Sequence, residues 1–385
     1  MKKFAIAQKF LNSGGREEGI RLIKQIHEDA VKYDFVHLLC ETSELLSHDF
    51  LYYEDDIEQA TLYAKQTDKY LHDYRAEKKA HYYFYQVYSR RNALLGSEDF
   101  EKAIKNVQQL QGKSIKYVFY TYRLRIMYRL HRGDYDKIVQ LCEDALGHFN
   151  EKKGVYSSTF HFLYLTKGVA EIARTHHHDA EDCFARGLGY APKNSRNDYV
   201  IRLYMTLNML HAGKYQDAYR LYLINRQCND KEVQMQFTIM EAYFCFLVSV
   251  GHLKIDKPFR SSKFLNQLLR KQADKKNTVH LSILIAQLLV YLVRDRKKFV
   301  THIEFVKTYS KNLSKSRGID CAKLLIKILS FLPKANFHAP ALQQLAKKYI
   351  HALQAHPIAM GTDISIEIIP FHVLVEMLLG NEHSI

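Results

Sequence analysis

Apolar residues along this chain recur at three- and four-residue steps, the period of a helix with one buried face. The stretches "FAIAQKFL", "REEGIRLIKQIHEDAVKY" and "FVHLLCETSELLSHDFL" predict amphipathic helices within the first 50 residues, divided at Gly14-Gly15. From about 55 to 226 helices alternate with short polar turns. An apolar helix, "VQMQFTIMEAYFCFLVSV", follows, then the turn "GHLKIDKP", in which Asp256 suits an N-cap and Pro258 a first helical turn. "VHLSILIAQLLVYLV", Val279 to Val293, is the most apolar window. It falls short of the ~20 residues that span a bilayer and reads as a buried helix. "PKANFHAP" breaks the pattern, "ALQQLAKKYIHALQA" resumes it, and Pro370 forces a kink or an extended piece before a last, capping helix. The expected parts are an N-terminal cap (1–54), helical repeats (55–253), basic helical repeats (254–333) and C-terminal capping helices (334–385).

The hairpins repeat. "LHRGDYDKIVQL" from Leu130 and "LHAGKYQDAYRL" from Leu210 both write leucine-histidine, glycine, a charged residue, tyrosine and the start of an apolar helix. "SEDFEKAI", "DDIEQATLYA" and "RKKFVTHI" carry related turns. Equivalent positions 60, 103, 138, 180, 218 and 302 are separated by 43, 35, 42, 38 and a double step of 84, a period of about forty. The aromatic before the second helix staples the turn, and a small residue three places on lets two backbones approach; Ile138 and His302 depart from that rule. A single pair cannot bury both its apolar faces, whereas stacked pairs can.

"LYLTKGVAEIARTHHHDAEDCFARGLGYAP", Leu163 to Pro192, resembles a tetratricopeptide repeat: it supplies Tyr164, Gly168 where the helices cross, Ala180, Phe184, Gly187 and Pro192, with Lys167 and Glu171 in place of the family's leucine and tyrosine. Gly133, Tyr135 and Ala145, and Gly213, Tyr215 and Ala218, match in the second helix. The resemblance covers residues 55 to 226, with a period longer than the family's 34. It implies an all-α, α-α superhelix of about eight or nine antiparallel hairpins, a fold that binds proteins and peptides.

Composition narrows the picture. Six Pro and 16 Gly in 385 residues are few for a chain of strands and turns, and hydrophobic content of 47% supplies a core. The six cysteines are widely spaced with no C-x-x-C pair, which predicts buried thiols in a reducing, cytoplasmic setting. "MKKFAIAQKF" is too short an apolar run for a signal-peptide core.

The net charge of +15 is unevenly spread: from Lys254 to Arg317 sixteen Lys and Arg stand against four acids, a net +12. Helical spacing sets Lys257, Arg260, Lys263, Arg270 and Lys271 apart from the stripe of Phe264, Leu265, Leu268 and Leu269, and aligns Lys307, Lys311 and Lys315 in an i, i+4 row. These residues form either a solvated face or a docking face for an acidic partner. Twenty-seven tyrosines with no tryptophan are too many per helix to share one face. Some pack between helices; others line a groove, where Tyr120, Arg123, Arg125 and Tyr128 offer aromatic and cationic contacts to a peptide. Rings among cations equally suit single-stranded nucleic acid.

Catalytic signals are weak. "QGKSIK" ends like a phosphate loop, but Val107 stands where that loop needs glycine and no strand precedes it. "THHHDAEDC" gathers His176, His177, His178, Asp179 and Cys183 at the turn of the best repeat, where adjacent histidines diverge. His27-Glu28 lacks the second histidine of a zincin. The expectation is a non-enzymatic scaffold without metal or cofactor, binding a protein or peptide of acidic character; the alternative is a nucleic-acid-binding helical repeat, and more distantly a peptide-sensing regulator.

Overall fold

A computed structural model describes residues 2–89, 97–150, 156–256, 278–313, 317–356, 358, 360 and 367–380. Among them are seventeen α-helices and no strand: α1 Lys2–Asn12, α2 Arg16–Tyr33, α3 Val36–Tyr52, α4 Ile57–Ser89, α5 Ser97–Gln108, α6 Ile115–Arg132, α7 Tyr135–Phe149, α8 Ser157–Ala173, α9 His177–Leu188, α10 Arg196–His211, α11 Tyr215–Asn225, α12 Lys231–Ser249, α13 Thr278–Arg294, α14 Arg296–Lys311, α15 Arg317–Leu329, α16 Ala339–Gln354 and α17 Phe371–Gly380. The all-α expectation therefore holds. No described helix is long and apolar enough to cross a membrane.

Two compact units divide the chain: Met1–Arg132 with Glu143–Tyr156, and Gly133–Cys142 with Ser157–Ile385. In the first unit, Phe4, Ala7, Ile20, Ile23, Ile26 and Leu46 close a core under α1–α3. A second core joins α4, α5 and α6 through Ala76, Ala80, Phe84, Phe100, Ala103 and Leu124. In the second unit one continuous core runs from Leu165 to Leu378, and every residue of α13 from Leu281 to Val290 is buried.

Local chemistry sets the helix starts. Ser195 Oγ accepts from Asp198 N while an Asp198 carboxylate oxygen accepts from Asn194 N, a reciprocal cap on α10. Asp56 caps α4, Asp230 caps α12 and Asp295 caps α14, each carboxylate accepting from an N–H of the first turn. The twin turns of the sequence also find their cause. Gly133 (φ 64°) and Gly213 (φ 72°) both occupy the left-handed region two residues before the tyrosine that opens α7 and α11, a conformation that costs glycine little.

One element departs from the expected hairpins. Residues 57–89 form a single helix of 33 residues, not a helix, a turn and a second helix. No glycine or proline interrupts this stretch, so nothing stops the helix once Asp56 has started it. At 1.5 Å per residue α4 is about 50 Å long. Its first half packs on α3 and its second half on α5 and α6.

Candidate functional site

The expected basic face falls largely outside the described residues: Lys257, Arg260, Lys263, Arg270, Lys271 and Lys315 all lie there. Lys307 and Lys311 stand on α14, where Lys307 Nζ pairs with Glu304 at 3.2 Å and Lys311 is exposed. That part of the row is thus half neutralised by its own helix.

The four expected groove residues are all on α6, but they point in different directions. Tyr128 is buried, donating its hydroxyl hydrogen to Glu101 Oε1 at 2.6 Å and accepting from Arg132 Nη1 at 3.0 Å. Arg125 is exposed, its guanidinium 5.9 Å from the Tyr122 ring. Tyr120 and Arg123 remain together, facing α4. The Tyr120 ring stacks on His81 at 4.8 Å, and Arg123 lies 4.1 Å over Phe84 and 5.3 Å from Phe119. Burial pulls the Arg123 pKa below its ordinary value.

The seam between α4 and α6 is the richest constellation in the first unit. Tyr74, Lys78, His81, Tyr85 and Tyr88 succeed one another on α4 at steps of four, three, four and three, one strip of one helix face. Lys116, Tyr120 and Arg123 answer from α6 at steps of four and three. Lys78 sits 5.1 Å over the Tyr74 ring, and Tyr85 is 61% exposed. The acid of the seam is turned inward: Glu77 is buried, accepts from Ser114 Oγ at 3.3 Å and pairs with Lys116 at 3.6 Å.

The phosphate-loop look-alike is used up by the protein itself. Lys113 N–H donates to Asp73 Oδ1 at 2.8 Å and Ile115 N–H donates to Asp34 Oδ2 at 2.6 Å. Tyr117 N–H donates to Ser114 Oγ at 3.1 Å, so the N–H groups at the start of α6 that a phosphate would need are engaged by side chains of the protein itself. At the α8–α9 turn, ligand-type atoms of Glu171, His176 and Asp179 come within 4.8 Å of one another. Glu171 Oε2, however, already takes Arg174 Nη1 at 2.8 Å and His176 Nδ1 at 3.2 Å, and Arg174 Nε reaches Asp136 at 2.8 Å. A guanidinium thus supplies the positive charge that a metal would bring. The other histidines diverge, His177 to Asn208 at 3.0 Å and His178 toward Asp182.

Sequence reasoning missed three features. Cys321 Sγ lies 3.0 Å from His356 Nδ1, a thiol–imidazole pair 35 residues apart in sequence. At 1% exposure that sulfur reaches no substrate. All six cysteines are free thiols, five of them buried and Cys40 half-buried, and burial pushes Cys183 up to about 11. A cleft of about 250 Å³ between α4 and α5, lined by Tyr83, Gln86, Lys102 and Asn106, is smaller than the ~300–1,000 Å³ usual for ligand pockets.

The third missed feature is the α3–α4 turn. Leu51, Tyr52, Tyr53 and Ile57 are 43, 71, 69 and 67% exposed within seven residues. Glu54, Asp55 and Glu58 are exposed beside them. The turn is held fast: Arg16 Nε reaches Asp49 Oδ1 at 2.7 Å, its Nη2 reaches Glu54 at 2.8 Å, and its guanidinium lies 4.5 Å over the Tyr53 ring. Backbone bonds Tyr53 N to Asp49 O and Asp56 N to Phe50 O close the loop. The result is an apolar knob with an acidic rim. Composition-level reading passed over it because its four apolar residues look like any others until their exposure is known.

Fold and surface together define an all-helical protein with an exposed apolar turn and a part-buried thiol–imidazole pair. No protein-family model matches the chain, and neither a curated protein nor a solved structure matches it.

Proposed function

We propose that the chain is a non-enzymatic binding scaffold: stacked, tetratricopeptide-like helix pairs that hold a protein or peptide partner in a reducing, cytoplasmic setting. The repeat reading draws support from the α8–α9 pair, where a Cβ on Gly168 would sit 2.5 Å from the Phe184 ring, so the two helices approach as closely as the family's crossing requires. The observation that carries the functional reading is the knob at the α3–α4 turn. Large apolar side chains exposed together on a rigid loop mark contact surfaces, because leaving them in water forfeits about 25 cal/mol for every Å² that a partner could cover. Two of the four are tyrosines, which lose little rotamer entropy on docking and are frequent binding anchors. The acidic rim calls for a basic rim opposite. The acidic partner expected from residues 254–317 is a second engagement, of which Lys307 and Lys311 are the described part.

The test is a pull-down from nuclease-treated lysate of the native host, with the wild type beside a Tyr52→Ala, Tyr53→Ala, Ile57→Ala variant. Exposed truncations of this kind change stability by only about 0.5 kcal/mol each, so the helical circular dichroism stays unchanged. A protein partner is retained by the wild type and lost by the variant. If both chains retain the same set, the knob is not the contact and this reading fails.

A second reading, nucleic-acid binding, is favoured by the ring-and-cation seam of α4 and α6.

A further inference from the structure

The strip on α4 has three properties that belong together. First, it is a row of π faces with cations beside them, not an apolar groove. Tyr74, His81, Tyr85 and Tyr88 flank the single cation Lys78 on α4, and Tyr120 lies between Lys116 and Arg123 on the facing helix. His81 and Tyr120 already stack with ring centroids 4.8 Å apart and planes 25° apart, and His37 of α3 adds another ring 5.2 Å from Tyr74. Second, its charge is one-sided. Lys78 is exposed and forms no ion pair among the described residues, while Glu77 faces the interior, engaged by Ser114 and Lys116. Third, it is straight and long: from Tyr74 to Tyr88 the helix rises about 21 Å.

We infer that this seam is a binding platform for single-stranded nucleic acid, independent of the scaffold reading above. The chemistry chooses among polyanions. An acidic peptide needs apolar pockets for its side chains or free main-chain donors for its backbone. The strip lies along a continuous helix whose interior N–H groups are spent on intrahelical bonds. A duplex hides the faces of its bases, so exposed rings gain nothing from it. Unpaired bases present π faces that stack on tyrosine and histidine whatever their sequence, while the exposed Lys78 among the rings meets a phosphate. A run of about four extended nucleotides covers such a strip, the low end of single-strand site sizes.

The first half of α4 bounds the site. Glu58 and Asp68 are exposed there and offset the exposed Lys65 and Lys69. Charge therefore balances over that half, whereas the exposed Lys78 and Lys79 stand among and beside the rings of the strip and Lys116 faces them from α6, paired with Glu77. A strand is therefore directed along the α6-facing half of the helix and away from the α3–α4 turn.

The experiment is fluorescence anisotropy with a 3′-labelled twelve-nucleotide oligouridylate, the matching oligothymidylate and a twelve-base-pair duplex. The full chain is titrated at 50 and 200 mM salt as wild type, Tyr85→Ala and Lys78→Gln; both substituted side chains are exposed, and circular dichroism confirms the fold. Expected are single-strand binding at least tenfold tighter than duplex binding and a loss of about tenfold for Tyr85→Ala, the size of one lost base stack. Lys78→Gln is expected to lower the salt slope by about 0.7, one phosphate contact fewer. The inference is overturned if single strand and duplex bind alike, or if Tyr85→Ala binds as the wild type does, which places the contact on other cations of this basic chain. It is equally overturned if the oligonucleotides fail to bind while poly-glutamate or phosphatidylserine vesicles bind. Because the knob variant leaves this seam untouched, its failure in the pull-down and a failure here are separate results.

Discussion

Thr175 occupies a place that Gly133 and Gly213 hold in the two neighbouring turns: each stands two residues before its second helix begins, and each has positive φ, 62° for the threonine. For a β-branched side chain the left-handed region is strained by roughly 1–2 kcal/mol. Thr175→Gly relieves that strain at some cost in unfolded-state entropy, so urea unfolding should show a gain of about 0.5–1 kcal/mol; a loss would mean that the Thr175 hydroxyl, 2.6 Å from the Arg174 carbonyl oxygen, contributes more than the strain costs. His211 makes a pH-dependent contribution. Its Nε2–H donates to the Glu367 carbonyl at 2.9 Å, its Nδ1 is buried with no partner, and burial pulls its pKa down to about 4. The unfolded chain takes up this proton near pH 6.5 and the folded chain only near 4, so the contribution is complete above the first value and is lost as pH falls toward the second. That loss amounts to something on the order of 3 kcal/mol. His211→Gln, which keeps a donor for Glu367, should flatten the difference in stability between pH 7 and pH 4.5; an unchanged slope would place the acid sensitivity elsewhere. The glycines of the paired turns were legible because their type adopts the conformation without strain. Thr175 and His211 were not, since a positive φ and a buried imidazole leave no mark on residue type.

At the scale of the element, the periodicity of apolar positions gave the first three helices and the apolar Val279–Val293 helix close to their observed limits, and the Leu163–Pro192 window marked the α8–α9 pair without the start of α8. It did not give α4 as a single helix, because a repeat anchored on turns expects a turn in each unit, and the absence of glycine and proline from 57 to 89 was the available signal. The start of α6 was legible only in part. Ser114, whose Oγ accepts from Tyr117 N at 3.1 Å, is a local cap, but the N–H groups of Ile115 and Lys113 are held by Asp34 from the end of α2 and Asp73 from α4, and no local pattern links residues 40 and 81 positions apart. The consequence is testable. Asp73 is buried, so Asp73→Ala leaves the Lys113 N–H without its acceptor and should cost about 1–3 kcal/mol in urea unfolding. A change below about 0.5 kcal/mol would show that solvent replaces the carboxylate. The seam depends on the same capping, since Asp73 and Glu77 fix the register in which Tyr120 meets His81.

For the whole molecule, the all-α class was written in the chain and the exposed apolar turn was not. Net charge directed attention to residues 254–317, yet the rigid apolar knob belongs to an acidic stretch of the first unit, where Leu51, Tyr52, Tyr53 and Ile57 stand beside Glu54, Asp55 and Glu58. Whether an apolar residue is buried depends on what packs over it, which one helix's pattern does not encode. The candidate groove behaved similarly: four residues of one helix, Tyr120, Arg123, Arg125 and Tyr128, divide among a seam, a solvent-facing side and a core. The scaffold account makes the knob its central claim, and zero-length carbodiimide cross-linking in nuclease-treated host lysate tests it most directly by joining carboxylates to lysines in contact with them. The account predicts cross-links from Glu54, Asp55 or Glu58 to lysines of one partner protein, lost when Tyr52, Tyr53 and Ile57 are changed to alanine. Cross-links that persist in that variant, or that arise only from carboxylates remote from the α3–α4 turn, would contradict it.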